Sequence, residues 1–328
     1  MKKVTVIGGG TGSFVVLSAI KKLKIDLGVI VSMTDSGGST GRLRDQLGVL
    51  PPGDLRQALV ALSEAPDLWR KLFSYRFEQG DLEGHNFGNI FLSALEKVTE
   101  NYKDVVETAS YVLQTKGKVI PVTFEKTNLC VKYANGAVVK GEGNIDSNYN
   151  ETDKVIYSYL DPEVSANLEA TRRIRESDYL IVGPGDMYSS IVSVLLPQGV
   201  KDAIFGSRGK IIYILNLMTK RGQTTDYKAL DHLLDLSDYL GRAPGIVLIN
   251  NGKIDKEHLD WYQQDGEQPV ENDLYSSEFG GKIIEEDIVD KKVFKKEDAD
   301  KFVDPRVRSI LRHDPEKLGQ ILKKIILS

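Results

Sequence analysis

Lys3-Val-Thr-Val-Ile-Gly-Gly-Gly-Thr-Gly-Ser-Phe14 decides how the rest of the chain is read. Val4, Val6 and Ile7 form an apolar, β-branched run suited to a buried strand, and the glycines after it admit positive φ and let a ligand approach bare backbone. A helix is expected to open near Ser13. Free amides at its start, with the positive end of its dipole, suit a phosphate or pyrophosphate without a dedicated cation. The dinucleotide pattern G-x-G-x-x-G is met only in part, by Gly8 and Gly10, because Ser13 stands at the third glycine position. No Lys stands before a Ser or Thr as a Walker loop requires, which sets aside ATPase chemistry of that type.

Further along, Leu27 to Val31 reads as a second strand and empties into Ser32-Met-Thr-Asp-Ser-Gly-Gly-Ser-Thr-Gly-Arg-Leu-Arg44. Asp35 suits a ribose, Ser36, Gly37 and their neighbours suit a second phosphate, and Arg42 and Arg44 offer forked, charge-assisted bonds. Asp54, in Pro51-Pro-Gly-Asp54, is expected to cap a helix over Leu55 to Ser63. In His85-Asn-Phe-Gly-Asn89, Asn86 and Asn89 stand evenly between capping a helix and contacting a base or sugar. From Lys118 to Ile145 the alternation is of period two, and Asn135-Gly136 predicts a hairpin, so residues 116–160 are read as a β insertion that either borders the cleft or makes a subunit contact. The α/β pattern resumes at Asp178. In Gly183-Pro-Gly-Asp186 the aspartate is either an N-cap or a holder of ligand or cation. Strands ending near Ile7, Val31, Val182, Leu217 and Ile249 all run into glycine-rich or polar turns, and ligands of open parallel sheets bind outside such carboxyl ends.

A length of 328 residues fits one doubly wound domain, 1–328. The net charge of -4 argues against a nucleic-acid or anionic-membrane surface. The single cysteine, Cys130, reads as a small buried hydrophobe and suits a reducing compartment, and four scattered histidines give no zinc spacing. No apolar stretch is long enough to span a bilayer, so a cytoplasmic protein is expected. In the tail, 297–328, Asp304-Pro305 and Asp314-Pro315 read as helix starts. Leu318, Ile321, Leu322, Ile325 and Ile326 make one stripe that docks on the body or on a second subunit, which leaves a homo-oligomer open.

Taken together, Ile7 to Ser13 (IGGGTGS), Thr34 to Arg44 (TDSGGSTGRLR), Pro51 to Arg56 (PPGDLR), His85 to Leu95 (HNFGNIFLSAL), Gly183 to Val200 (GPGDMYSSIVSVLLPQGV) and Asn216 to Tyr227 (NLMTKRGQTTDY) resemble the CofD/YvcK family across nearly the whole chain. Tyr262 in Trp-Tyr-Gln-Gln and the run Leu311-Arg-His-Asp-Pro315 look like its YvcK branch, the gluconeogenesis factors. The resemblance implies a Rossmann-like three-layer α/β/α fold with a mostly parallel sheet. It further implies binding of a UDP-sugar such as UDP-N-acetylglucosamine, a role in cell shape and cell-wall growth on gluconeogenic carbon sources, an unidentified protein partner, no required cofactor and no established reaction. Tyr262 and Arg312 are implied to hold the sugar nucleotide, with binding ordering the tail around Arg312 against the sheet edge. With the motifs above, the expected ligand set is Gly9, Gly10, Thr11, Gly12, Ser13, Asp35, Ser36, Gly37, Arg42, Asn86, Gly185, Asp186, Asn216, Thr219, Tyr262 and Arg312. The alternative implied by the CofD branch is a transferase moving a phospholactyl-type group from a guanylyl donor to a deazaflavin, with Asp35 and Asp186 as magnesium ligands. A third class, an NAD-dependent oxidoreductase, has the partial glycine pattern in its favour but no identified acid or base for hydride transfer.

Overall fold

The computed structural model describes residues 1–148, 153–290 and 310–327. In chain order its strands are β1 (Lys3–Ile7), β2 (Asp26–Val31), β3 (Lys118–Pro121), β4 (Asn128–Tyr133), β5 (Val138–Lys140), β6 (Val155–Asp161), β7 (Tyr179–Val182), β8 (Lys210–Ile214), β9 (Ile246–Asn250) and β10 (Lys282–Glu286). Val4, Val6 and Ile7 are fully buried, so β1 lies inside a seven-stranded sheet ordered β10-β9-β8-β7-β1-β2-β3, with every neighbouring pair parallel. A parallel sheet needs long crossovers, and these place helices over both faces. The chain moves from β1 outward to β2 and β3, then returns to β7 on the other side of β1. Neighbouring crossovers therefore part between β1 and β7, and a crevice opens there beyond Ile7 and its partner Val182.

Over one face lie α1 (Gly10–Ile20), α3 (Gly53–Leu62) and the C-terminal helix Pro315–Leu327; α2 (Gly38–Leu47) precedes α3 at the edge. Val16, Leu17, Leu59, Leu318 and Leu322 share that core. Over the other face, Ile174, Ile204, Leu233 and Leu236 pack with Met187 and Ile191 of a π-helical turn, Met187–Val192. The apolar stripe of the tail thus docks on the body: Leu318, Leu322 and Ile326 are fully buried, and Asp314 caps the helix by accepting from the Glu316 and Lys317 amides at 2.8 and 3.1 Å. The other expected start, Asp304-Pro305, lies outside the described residues.

The alternating segment forms a separate antiparallel sheet, β5-β4-β6, and Asn135-Gly136 turns the chain between β4 and β5. Its expected range, 116–160, takes in too much. β3 falls within that range but pairs with β2 in the large sheet, because Val119 and Ile120 are apolar enough to serve as a buried parallel edge. Cys130 is buried, and burial pushes its thiol up. No helix among the described residues is long and apolar enough to cross a membrane.

Gly319 lets the last helix press on α1, since a Cβ there would stand 2.7 Å from the Ala19 carbonyl oxygen. Gly319→Val should therefore destabilise the fold by about 1–3 kcal/mol in urea denaturation. An unchanged midpoint would mean that this helix lies outside the cooperative unit.

Candidate functional site

The turns after β1, β2, β7 and β8 meet around one cavity of about 440 Å³, bordered by Gly10, Thr11, Gly12, Asp35, Gly37, Gly185, Asp186, Asn216 and Thr219. The turn after β9 does not border it. Two glycine turns close its floor: a Cβ at residue 12 would sit 2.0 Å from the Pro184 carbonyl oxygen, so only glycine lets α1 start that near the β7 turn. Asn216 locks the next turn in place. Its Nδ2 donates to the Gly185 carbonyl at 2.8 Å and its Oδ1 accepts from the Gly185 amide at 3.2 Å. Thr219 is paired with Gln268, so both residues build the wall as well as border the cavity.

At the start of α1 the structure departs from expectation. The helix opens at Gly10, not near Ser13, because Asp54 reaches over from α3 and its Oδ1 accepts from the Gly10 amide at 2.8 Å. Asp54 does not cap its own helix, whose N-cap is Pro52. The Gly9 amide donates to the Ser190 carbonyl at 3.0 Å. Two of the amides expected to meet a phosphate are thus bonded inside the chain, and a carboxylate stands at the positive end of the dipole. Thr11 and Gly12 border the cavity beside them.

Carboxyl groups crowd this side. Asp35 accepts from the Gly37 amide at 2.8 Å, and burial raises its pKa. Burial, then the charge of Asp35, pushes Asp54 up to about 7. The small sheet adds two more through a short helix, Glu142–Asp146. Glu142 is held well above the usual carboxylate range by burial and by Asp35, Asp54 and Asp146. Asp146 is pushed up to about 7 by burial and by Asp186. The insertion therefore borders the cleft, the first of the two roles its sequence left open. Facing these acids are Arg56, whose Nε donates to Asn89 Oδ1 at 2.9 Å, and Arg76. Among the described residues no group of three or more His, Cys, Asp or Glu side chains is set to hold a metal ion.

Tyr262, Leu311, Arg312 and His313 also border the cavity, and so does Lys220, whose charge acts on Asp146. Residues 310–314 run antiparallel beside 288–290, with the Asp290 amide donating to the Arg312 carbonyl at 2.9 Å and the Asp314 amide to the Ile288 carbonyl at 2.8 Å. Tyr262 anchors this strap, its hydroxyl accepting from the Leu311 amide at 3.1 Å. At 2 % exposure its ring is packed edge-on against Trp261 at the cavity wall. Lys220 pairs with Glu267 at 3.6 Å, both buried.

Gly9, Ser13, Ser36, Arg42 and Asn86 stand outside the cavity lining. Ser13 is buried under the loop, Ser36 Oγ accepts from the Gly143 amide at 3.2 Å, and Asn86 caps the helix Phe87–Val98 by accepting from the Asn89 amide. Arg42 donates to the Glu83 carbonyl at 2.9 Å and borders a neighbouring cavity with Gly38, Ser39 and Arg76. Sequence reasoning missed Glu142, Asp146, Arg56, Lys220, Glu267 and His313. Three of them had a visible cue: Arg56 and Lys220 stand inside the runs Pro51 to Arg56 and Asn216 to Tyr227, and His313 stands beside Arg312.

A family model described as 2-phospho-L-lactate transferase CofD matches residues 4–289. The gluconeogenesis factor of Bacillus subtilis is 34% identical over 328 residues, covering 99% of this chain and 98% of that one. The gluconeogenesis factor of Listeria monocytogenes is 36% identical over 290 residues, covering 88% of each. A crystal structure of a member of the UPF0052 family from Bacillus halodurans superposes over 100% of both chains with a TM-score of 0.88 at 33% identity.

Two buried histidines make stability depend on pH. Burial pushes His232 and His313 down to about 4 from an ordinary 6.5, so between those values the unfolded chain binds protons that the folded chain refuses. The part of the stability that these two histidines supply is then complete above about pH 6.5 and lost as pH drops toward 4, while Asp54 and Asp146, raised to about 7, act in the opposite sense across the same window. His232→Phe keeps a ring in that fully buried place, and the Tm of the variant relative to the parent should rise as pH drops through this window; a constant difference would show that His232 is not held neutral.

Proposed function

The chain belongs to the CofD family, with full-length relatives named gluconeogenesis factors, and from that premise we propose that its cleft binds a UDP-sugar, UDP-N-acetylglucosamine before others. The protein then acts as a regulator that reads sugar-nucleotide level and supports cell shape and wall growth on gluconeogenic carbon sources, through a partner protein. The observation that supports this reading most is the polarity of the cleft. Arg312 follows Leu311, which packs with apolar Leu217 and Met218 after β8; the glycine turns after β1 and β7 border the same cavity; and Asp35 and Glu142 stand by the end of β2. That sequence of surfaces matches a nucleoside, a diphosphate and a sugar in order. Tyr262 serves by holding the strap that presents Arg312. Charge-assisted hydrogen bonds contribute about 1.5–3 kcal/mol, so Arg312→Ala should weaken UDP-N-acetylglucosamine binding by roughly ten- to a hundredfold in calorimetry, with the thermal midpoint kept. Equal affinity in variant and parent removes Arg312 from the site.

One observation favours the transferase alternative. Asp35 and Asp186 border the same cavity, and a pair of carboxylates completed by donor phosphate oxygens and water fits magnesium, which would neutralise a guanylyl diphosphate. In that case the two aspartates hold the ion and the turns at Gly12 and Gly185 orient the donor. Product formed from a guanylyl donor and a deazaflavin, and lost in Asp35→Asn, would decide for this reaction; no product would leave the binding reading standing.

A further inference from the structure

Resting on the UDP-sugar reading, we propose that Glu142, carried into the cleft by the antiparallel insertion, is the residue that reads the sugar ring, accepting hydrogen bonds from its hydroxyls. The helix Glu142–Asp146 is clamped on both flanks. The Gly143 amide donates to Ser36 Oγ at 3.2 Å, Ile145 is fully buried, and Asp146 Oδ1 accepts from Gln223 Nε2 at 2.9 Å. Gln223 is itself fixed, since its Oε1 accepts from the Tyr188 amide at 3.2 Å. Asp146 is thus committed to the protein. Glu142 is not: it accepts a single long bond, 3.3 Å, from Thr34 Oγ1, while a carboxylate has room for about four.

The surroundings select the ligand chemistry. Asp35 and Asp54 lie close enough to act on Glu142, so a phosphate at this end meets three carboxyl groups, whereas sugar hydroxyls supply the donors those groups lack. The nearest cations are tied down, Arg56 to Asn89 and Arg76 to the Gly84 carbonyl at 2.7 Å. Glu142 stands by the end of β2 and Arg312 by the residues after β8, and β1 and β7 separate the two strands. Three strand spacings make about 14 Å, which leaves the diphosphate over the central crevice and one end group on each side.

Calorimetry on the full chain with UDP, UDP-N-acetylglucosamine, UDP-glucose and UDP-galactose tests this in the parent and in Glu142→Gln, which keeps shape and replaces one carboxyl oxygen with an amide donor. The variant should bind UDP within about twofold of the parent, lose about tenfold for the preferred UDP-sugar, and discriminate less between the two epimers. Unchanged sugar preference overturns the role of Glu142 and leaves the UDP-sugar reading intact. An equal loss for UDP and UDP-sugar also overturns it, since that marks a general collapse of the cleft. A parent that binds no UDP-sugar overturns both.

Discussion

The contact between Gly12 and the Pro184 carbonyl is the constraint on which the rest of the molecule depends. With no room for a Cβ between them, the turn after β1 lies directly against the turn after β7 at the point where the sheet reverses its strand order, and the Gly9 amide donates to the Ser190 carbonyl at 3.0 Å across the same seam. Because these turns meet, the crevice has a closed floor, and every group that reaches it must come over the rim. The insertion arrives over β2, α3 brings Asp54 and Arg56, and the terminal strap arrives over β8. Segments more than 160 residues apart in the chain thereby share one cavity of about 440 Å³.

Electrostatics then divides that cavity. A helix start that would attract a phosphate is covered by Asp54, and the carboxyl groups around it raise one another's pKa values. Such a cluster is a poor neighbour for a free anion and a good one for hydroxyls or for a cation that bridges to phosphate. The UDP-sugar and transferase readings are these two responses to one charge pattern. What separates them is whether the acids meet donors on the ligand or an ion between themselves and the ligand.

The sheet was legible because its signal is local. Val4, Val6 and Ile7, the glycines behind them and the repeated strand-to-turn pattern predict a parallel core and the edge at which its turns gather, and the hairpin at Asn135-Gly136 is equally local. Asp54 was misread for the same reason: an acid just after Pro51-Pro-Gly looks like a cap for its own helix, and nothing nearby signals that its carboxylate caps α1, 44 residues earlier in the chain. Glu142 and Asp146 stand in a polar stretch with no motif. Their place in the cleft follows from how Gly143 seats against Ser36, a tertiary fact without a sequence period. Lys118 to Pro121 shows the reverse case, where a strand of the large sheet was absorbed into the alternating segment that follows it.

The rim of the cavity is not uniformly firm. Leu217, Met218, Tyr262, Val289 and Leu311 form a small hydrophobic cluster apart from the two cores that sandwich the sheet. Five buried side chains stabilise a segment far less than a continuous core does, so the strap bearing Arg312 opens at a lower free energy than the sheet beneath it. The insertion helix is different, pinned through Ile145 to one of the two main cores and through Gly143 and Asp146 to the turns. The two ends of the cavity therefore rest on different supports, an acidic wall seated on a continuous core and a strap seated on a small cluster and on its hydrogen bonds to residues 288–290 and Tyr262.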